Sequence, residues 1–319
     1  MASLIRALGD TVPADLLTKL YRHQIRTVED LLTCDVDSRR YAGLSKELLL
    51  SLRHHMLAEE AALPVRADQI YLRMLGTALM FSTGCSGLDY LLHGGACTGE
   101  VMEITGCTLA GKTQLCHCIA LLAAVDHSCD VMFVESGGSF SSKRLLQLAT
   151  AKCVKDQSWQ RYVHSAPIFD LFELTDLLED VLISEKSSPP ARMMIVDCLT
   201  SLLAGHHADD LIEAKRYVAH LLKRIALEQS MAIVYTNNLV MEGSCLAMSS
   251  ILMQVPNTRI NLSSYTKPSS DVDLYSATLL KSSHRSYGLA TAMTLDDAGF
   301  QDIAQDKLGQ HKHYRASLR

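Results

Sequence analysis

From residue 81 onward, short apolar runs alternate along the chain with stretches whose apolar residues recur at helical spacing. Such alternation is typical of βαβ units, in which the strands lie parallel. Three later runs have little helix between them and predict further strands at the edge of the same sheet. The predicted strands are VMEIT, VMFVE, YVHS, MMIVD, AIVYT, TRINL, ATLLKS and TAMTL. The pattern therefore predicts an α/β fold with a mostly parallel central sheet.

The first sixty residues have a different pattern. PADLLTKLYRHQIRTVEDLL carries two apolar stripes at helical spacing, the second of which begins after Thr27, a suitable N-cap. Gly43 breaks the chain, and Ser45 can cap a third helix. A small helical bundle of this kind is either a packing or protein-binding module or a helix-hairpin-helix-like fold that touches a phosphate backbone.

These patterns divide the chain into four parts. We expect a helical N-terminal domain over 1–60 and an interdomain linker with one extended segment over 61–80. A core then extends over 81–308, and a flexible basic tail follows over 309–319.

The octapeptide GCTLAGKT matches the phosphate-binding loop G-x-x-x-x-G-K-[ST] and lies between a predicted strand and a predicted helix, the context that this motif requires. Its glycines permit the backbone angles that turn successive N–H groups toward phosphates, and the lysine reaches the β- and γ-phosphates. The predicted nucleotide-binding residues of this loop are Gly106, Cys107, Thr108, Leu109, Ala110, Gly111, Lys112 and Thr113.

Two other strand ends carry candidate ligands. Asp197 ends MMIVD and, with the Thr113 hydroxyl, predicts a Mg²⁺ site. Thr236, Asn237 and Asn238 end another strand at the carboxyl edge, where sheets of this class bind ligands. A polar side chain there either senses a γ-phosphate or caps a loop.

Charge and cysteine content restrict the class of protein. The 319 residues carry a net charge of −5, which argues against a generally basic surface for nucleic acid. No apolar run is long enough to span a bilayer, and the N-terminus lacks a secretory signal. The 10 cysteines form no CxxC pair, so we expect reduced thiols in an intracellular protein.

The stretch FSTGCSGLDYLLHGGACTGEVMEITGCTLAGKTQLC resembles the start of the ATPase core in RecA-like recombinases. With the helical N-terminal domain, the chain is similar to the Rad51 branch and, within it, to the paralogues, most of all the D type. The resemblance implies a RecA-type P-loop ATPase core that uses ATP and Mg²⁺. It also implies a nuclear protein of homologous recombination and DNA double-strand-break repair.

The resemblance adds three residues to the predicted nucleotide site. Gln114 follows the phosphate loop as in the family, and Arg144 matches an arginine that stacks on adenine. Asn238 lies where recombinases usually carry a glutamine that senses the γ-phosphate.

One departure from the family concerns hydrolysis. Active recombinases have a strand end that reads aromatic-[VI]-D-T-E-G, whose glutamate positions the attacking water. Here FVESGGSF puts Gly137 at that position, and Glu135 lies two residues earlier, roughly 6–7 Å back along the strand. Glu135 is therefore a weak catalytic candidate, and we expect slow hydrolysis at best.

A second departure concerns the two DNA-binding loops. The first, LAGHHADD, has His206 and His207 beside two acids, which favours a solvated surface over a DNA or metal site. The second lies in a stretch without Lys or Arg between Arg224 and Arg259, so it should hold single-stranded DNA weakly.

Two functions are compatible with these residues. In the first, the chain is an ATP-binding subunit of a paralogue complex that assists the main recombinase on single-stranded DNA. The resemblance implies the C paralogue, the X-ray-repair cross-complementing paralogue and the B paralogue as partners, and no membrane. In the second, the chain is an active DNA-stimulated ATPase with its own strand-exchange or filament-forming activity.

Overall fold

The structure is a computed structural model of the whole chain. It describes Leu4, Leu8 and residues 12–36, 43–59, 64–183, 191–202, 208–238, 254–265 and 273–303. The chain divides into two compact units, Met1–Arg73 and Met74–Arg319, and the division falls inside the predicted linker. The predicted tail, 309–319, lies outside the described residues.

Helices and strands are numbered here in chain order. The helices are α1 (Ala14–Arg22), α2 (Val28–Thr33), α3 (Lys46–Glu59), α4 (Ala67–Thr77), α5 (Ser86–Leu91), α6 (Lys112–His127), α7 (Ser142–Ala151), α8 (Leu171–Ile183), α9 (Leu199–Leu202) and α10 (Ala208–Glu228). The strands are β1 (Met80–Phe81), β2 (Ala96–Cys97), β3 (Val101–Gly106), β4 (Val131–Glu135), β5 (Val163–Pro167), β6 (Met193–Asp197), β7 (Ala232–Asn238), β8 (Thr258–Tyr265), β9 (Leu274–Lys281), β10 (Ala290–Asp296) and β11 (Gly299–Asp302). Across the described part of the chain, no helix is both long and apolar enough to cross a bilayer.

The first unit is built around α1, α2 and α3, as the apolar stripes predict. Thr27 caps α2 through a capping box, in which its hydroxyl accepts the Asp30 N–H at 3.1 Å and the Asp30 carboxylate accepts the Thr27 N–H at 2.9 Å. Ser45 accepts the Leu48 N–H at 3.1 Å at the start of α3. The three helices enclose a small core with Leu20, Leu31 and Leu49 among its buried side chains. The predicted caps and helices are therefore confirmed.

The predicted extended segment in 61–80 is wrong, because most of the described part of that segment is the helix α4. Its sequence, ADQIYLRMLGT, is rich in strong helix formers. Apolar side chains lie about half exposed or more on successive positions from Ile70 to Leu72 and again at Met74 and Leu75. Consecutive residues point to different sides of a helix, so these apolar residues do not recur at the spacing that marks one helical face. The sequence therefore gave no helical period from which to predict α4.

The central sheet of the second unit has nine strands in the order β11-β10-β9-β8-β3-β7-β6-β4-β5. Six neighbouring strands, β8, β3, β7, β6, β4 and β5, are parallel to one another. On one side of them, β9, β10 and β11 each pair antiparallel with the strand before. All the predicted strands are present, and the three later ones lie next to one another on one side of the sheet. They do not form its edge as predicted, because β8 pairs with β3 as part of the parallel strands and the unpredicted β11 is outermost. The mostly parallel α/β sheet is confirmed.

Helices cover both faces of this sheet, and the apolar residues of its strands are buried between them. On one face, Leu115 and Ile119 of α6 share a core cluster with Phe133 and Ile195 of the sheet. On the other face, helices α8 and α10 pack against β6 and its neighbours. Each fully buried aliphatic side chain contributes about 1.5–3 kcal/mol. The two cores hold the carboxyl ends of β3, β4, β6 and β7 along one edge.

We predict that Thr27→Ala lowers the stability of the first unit by about 1 kcal/mol, the usual cost of losing an N-cap. Amide hydrogen exchange of α2 and α3 in the full chain measures the change. Thr27→Ser keeps the hydroxyl and is the matched control. Equal exchange in both variants would show that the capping box contributes nothing.

Candidate nucleotide-binding site

A cleft of about 470 Å³ opens at the carboxyl edge of the parallel strands, within the usual size range of ligand pockets. Its walls come from the loops that follow β3, β4, β6 and β7, with two residues from the β9–β10 side. The lining residues are Thr108, Leu109, Ala110, Gly111, Lys112, Thr113, Gln114, Ser136, Gly137, Ser139, Asp197, Cys198, Ser201, Asn238, Tyr275 and Leu295. The topology thus brings most of the predicted site residues to one cavity.

The loop between β3 and α6 requires glycine at two positions for steric reasons. A Cβ atom on Gly106 would lie 2.4 Å from the Leu262 carbonyl oxygen, and one on Gly111 would lie 2.8 Å from the Phe300 ring. Gly111 also has a φ of +87°, in the left-handed region that favours glycine. Leu109 shares this region with a φ of +66° and is 87% exposed. The loop therefore has the compact turn that a phosphate cradle needs.

Lys112 is held over this loop. Its Nζ donates hydrogen bonds to the carbonyl oxygens of Gly106 at 2.9 Å and Cys107 at 2.8 Å. Burial lowers the pKa of the Lys112 ammonium, although nearby Asp197 opposes the shift. A phosphate in the loop can take over these hydrogen bonds, and an anion would relieve the cost of burying the charge.

Asp197 joins the loop to the neighbouring strands. One carboxylate oxygen accepts the Thr113 hydroxyl at 2.8 Å, and the other accepts the Thr236 hydroxyl at 2.6 Å. Asp197 is 3% exposed, and Thr236 is fully buried. Hydroxyl and carboxylate oxygens are ligands that Mg²⁺ accepts, so Thr113 and Asp197 fit the predicted magnesium site. The sequence showed Thr236 as a polar strand end, but its contact with Asp197 emerged only in the structure.

Asn238 lines the cleft, as expected, and Arg144 reaches it through Gln114. Arg144 Nε donates to Gln114 Oε1 at 2.7 Å. Its two terminal nitrogens donate to the carbonyl oxygens of Asp296 and Asp297 at 2.9 and 3.3 Å. The Arg144 guanidinium is therefore anchored between the first turn of α6 and the β10–β11 turn, and does not itself line the cleft.

Comparison with known proteins places this geometry in a family. A family model described as Rad51 matches residues 76–257, which is more than half of the chain. The chain belongs to the Rad51 family. The mouse protein named DNA repair protein RAD51 homolog 4 is 31% identical over 278 residues, which cover 82% of this chain and 84% of that protein. The human DNA repair protein RAD51 homolog 2 is 26% identical over 282 residues, covering 81% and 73%.

A solved structure agrees on the fold. The crystal structure of the RadB recombinase superposes with a TM-score of 0.60 and 22% identity, and covers 70% of this chain and 100% of that one. The second unit of this Rad51-family chain is therefore a RecA-type α/β core.

The two residues at issue for hydrolysis lie in different places. Glu135 does not line the cleft, because its carboxylate accepts the Phe140 N–H at 3.0 Å and the Ser165 hydroxyl at 3.2 Å. Gly137 does line the cleft, and a Cβ atom there would meet nothing within 4 Å. Among the described residues that form the walls, Asp197 is the one carboxylate. The Rad51-family chain thus has space, but no acid, at the position of Gly137.

His117, which the sequence analysis missed, connects the phosphate loop to the segment after β4. Its Nε2 accepts the Ser141 N–H at 3.0 Å, so Nδ1 carries the proton and donates to the Thr113 carbonyl oxygen at 2.7 Å. The ring packs against Phe133 and Phe140, with centroids 5.3 and 5.8 Å away. Burial lowers the pKa of His117. The signal available in the sequence was a histidine on the apolar side of α6.

We predict a pH-dependent contribution of His117 to stability. Because its pKa is lower in the folded chain than its usual value of 6.5, the unfolded chain binds more protons as the pH falls below 6.5. The His117→Gln variant lacks this titration. As the pH falls from 6.5 to 5.5, the free energy of unfolding of this variant should therefore rise relative to that of the parent, by at most about 1.4 kcal/mol per pH unit. Urea unfolding at several pH values measures the difference, and a difference independent of pH would contradict the prediction.

Proposed function

We propose that the chain is an ATP-binding Rad51 paralogue of the D type that acts in homologous recombination and DNA double-strand-break repair in the nucleus. The observation that carries the proposal is a phosphate loop joined to a buried Asp197, in a cleft with glycine at position 137. The names of the relatives, which include mouse RAD51 homolog 4, support the assignment to the D type.

In this proposal the chain binds ATP with Mg²⁺ and hydrolyses it slowly or not at all. The loop from Gly106 to Thr113 holds the phosphates, Lys112 neutralises their charge, and Thr113 and Asp197 hold the metal. A bound Mg²⁺ would supply positive charge that offsets the charge of the phosphates. Slow hydrolysis follows because no carboxylate among the described lining residues other than Asp197 is present to position a water.

Bound ATP then serves assembly. A ligand that binds only the assembled state stabilises it by RT ln(1 + [L]/Kd), which is about 2.7 kcal/mol when its concentration is 100 times Kd. We propose a hetero-oligomer in which the chain lies between the C paralogue and the X-ray-repair cross-complementing paralogue, with the B paralogue in the same complex. The complex assists the main recombinase on single-stranded DNA, which the chain contacts weakly or through its partners.

We predict that Lys112→Ala and Thr113→Ala reduce both the recovery of the paralogue partners with this chain and cellular repair. Each variant removes a ligand of the phosphate or the metal, so ATP no longer stabilises the complex. Co-purification with and without ATP measures the effect. Lys155→Ala changes an exposed lysine outside the cleft and serves as the control. Intact complexes and normal repair in both cleft variants would refute the role of ATP in assembly.

We predict that Gly137→Glu leaves ATP turnover slow, although the cleft has room for the side chain. A general base must be placed to within about 1 Å, and a glutamate added alone has no partner that fixes it. Steady-state ATP hydrolysis with and without single-stranded DNA checks this. An acceleration of roughly a hundredfold or more, the usual effect of a well-placed base, would instead favour the active-ATPase function.

A further inference from the structure

We infer that Glu103, in the middle of β3, is a positioning residue that acts through a chain of hydrogen bonds on Asn238 and thereby sets the preference of the cleft for ATP over ADP. The inference rests on the proposed nucleotide-binding function. It assigns a role to a partly buried series of polar side chains that has no part in the phosphate loop.

The series of hydrogen bonds begins with a buried ion pair between neighbouring strands. The Glu103 carboxylate of β3 accepts a hydrogen bond from Arg259 Nε of β8, and the two side chains are 4% and 12% exposed. Tyr235 lies beside the pair, and burial, with the Glu103 charge, raises the pKa of its hydroxyl well above the usual value. A buried ion pair adds little net stability compared with apolar residues of the same size. Its presence in a sheet interior therefore suggests a task other than stability.

From Glu103 the series of hydrogen bonds continues to the end of β7. Asn237 Nδ2 donates to Glu103 Oε1 at 2.5 Å, and Asn237 Oδ1 accepts the Thr200 hydroxyl at 2.9 Å. Thr200 Oγ1 in turn accepts the backbone N–H of Asn238 at 3.0 Å. Glu103, Asn237 and Thr200 thus connect the interior of the sheet to the backbone of Asn238, which lines the cleft.

The hydrogen bonds between Glu103 and Asn238 all have defined directions. The Asn238 N–H donates to Thr200 Oγ1, and the Thr200 hydroxyl donates its own hydrogen to Asn237 Oδ1. The Asn237 amide N–H₂ therefore faces the Glu103 carboxylate, which accepts it. The amide of Asn237 therefore has one orientation, and the end of β7 is held in one position.

This series of hydrogen bonds ends next to the cleft and can therefore affect it directly. Thr200 lies in α9, which begins two residues after Asp197, and Asn238 pairs in register with Gly106 of the phosphate loop. The Asn238 side chain reaches 3.6 Å from the Cys198 sulfur within the cleft lining. A shift at Asn237 would therefore move Asn238 relative to both the metal-binding and the phosphate-binding residues.

Replacing Glu103 by glutamine tests this arrangement, because it keeps the size and removes one acceptor. Two N–H donors, Arg259 Nε and Asn237 Nδ2, contact the two Glu103 oxygens, and the Tyr235 hydroxyl also hydrogen-bonds to the carboxylate, whereas a glutamine offers one oxygen and one N–H₂ group. One donor must then face another donor, so either the ion pair or the link to Asn237 is lost.

The experiment measures ATP-analogue and ADP affinities of the full chain by calorimetry, with a non-hydrolysable analogue in place of ATP. We expect Glu103→Gln and Thr200→Val to lower the ratio of the two affinities roughly tenfold, the effect of losing one well-formed polar contact to the γ-phosphate. Thr105→Val is the matched control on the same strand. It removes a hydrogen bond of 3.0 Å to the Ile260 carbonyl oxygen, which is not one of the hydrogen bonds between Glu103 and Asn238. We expect the control to keep the ratio of the parent.

A double-mutant cycle shows whether Glu103 acts through Asn238. Asn238→Ala should lower the ratio on its own, and Glu103→Gln should change it no further in that background. A general loss of packing would weaken both nucleotides alike and would leave the ratio unchanged. Thr200→Val alters a half-buried residue, so the test stands if Glu103→Gln does not fold.

The possible failures can be told apart. A parent chain that binds neither nucleotide would refute the proposed function. A parent chain that binds both equally would leave nucleotide binding intact and overturn this inference alone. An unchanged ratio in the Glu103 or Thr200 variants would also overturn it, as would independent effects of Glu103→Gln and Asn238→Ala.

Discussion

The candidate site depends on one interaction, the double hydrogen bond to the Asp197 carboxylate. Thr113 donates to it from the phosphate loop and Thr236 from β7, so a single buried acid joins three neighbouring strand ends. Because a buried carboxylate is costly unless its oxygens are satisfied, these hydroxyls must stay where they are. The same contacts place the two proposed magnesium ligands side by side and determine the distance between the phosphate loop and the end of β7.

Around this centre, the described lining residues include a phosphate loop, which we propose binds the nucleotide, and a segment after β4 that places no acid in the cleft. Lys112 and the glycines of its loop have the geometry of a phosphate cradle, whereas Gly137 leaves open space at the position where the resemblance to active recombinases implies a glutamate. The carboxylate of Glu135, the nearest acid along the chain, accepts hydrogen bonds from the Phe140 N–H and the Ser165 hydroxyl instead. Binding without rapid turnover suits a protein whose nucleotide stabilises an assembly, because the stabilisation lasts only while the ligand stays bound.

Much of the architecture could be predicted from local patterns. The strands were recognisable as apolar runs that end in polar residues, and the caps at Thr27 and Ser45 were recognisable because capping uses neighbours in the sequence. The helix α4 was missed for a related reason. Its exposed apolar residues do not follow the period that burial on one side imposes, so propensity was the one remaining signal.

The sequence by itself determined the fold class, the phosphate loop and the positions of Asp197 and Gly137, because each of these depends on residue type and short spacing. Only the tertiary structure decided which polar residues meet. His117 reaches Ser141, Asp197 reaches Thr236, and Glu103 reaches Asn237 across 24, 39 and 134 positions of the chain. Such contacts depend on strand order and register, which are settled when the whole sheet packs and carry no local pattern.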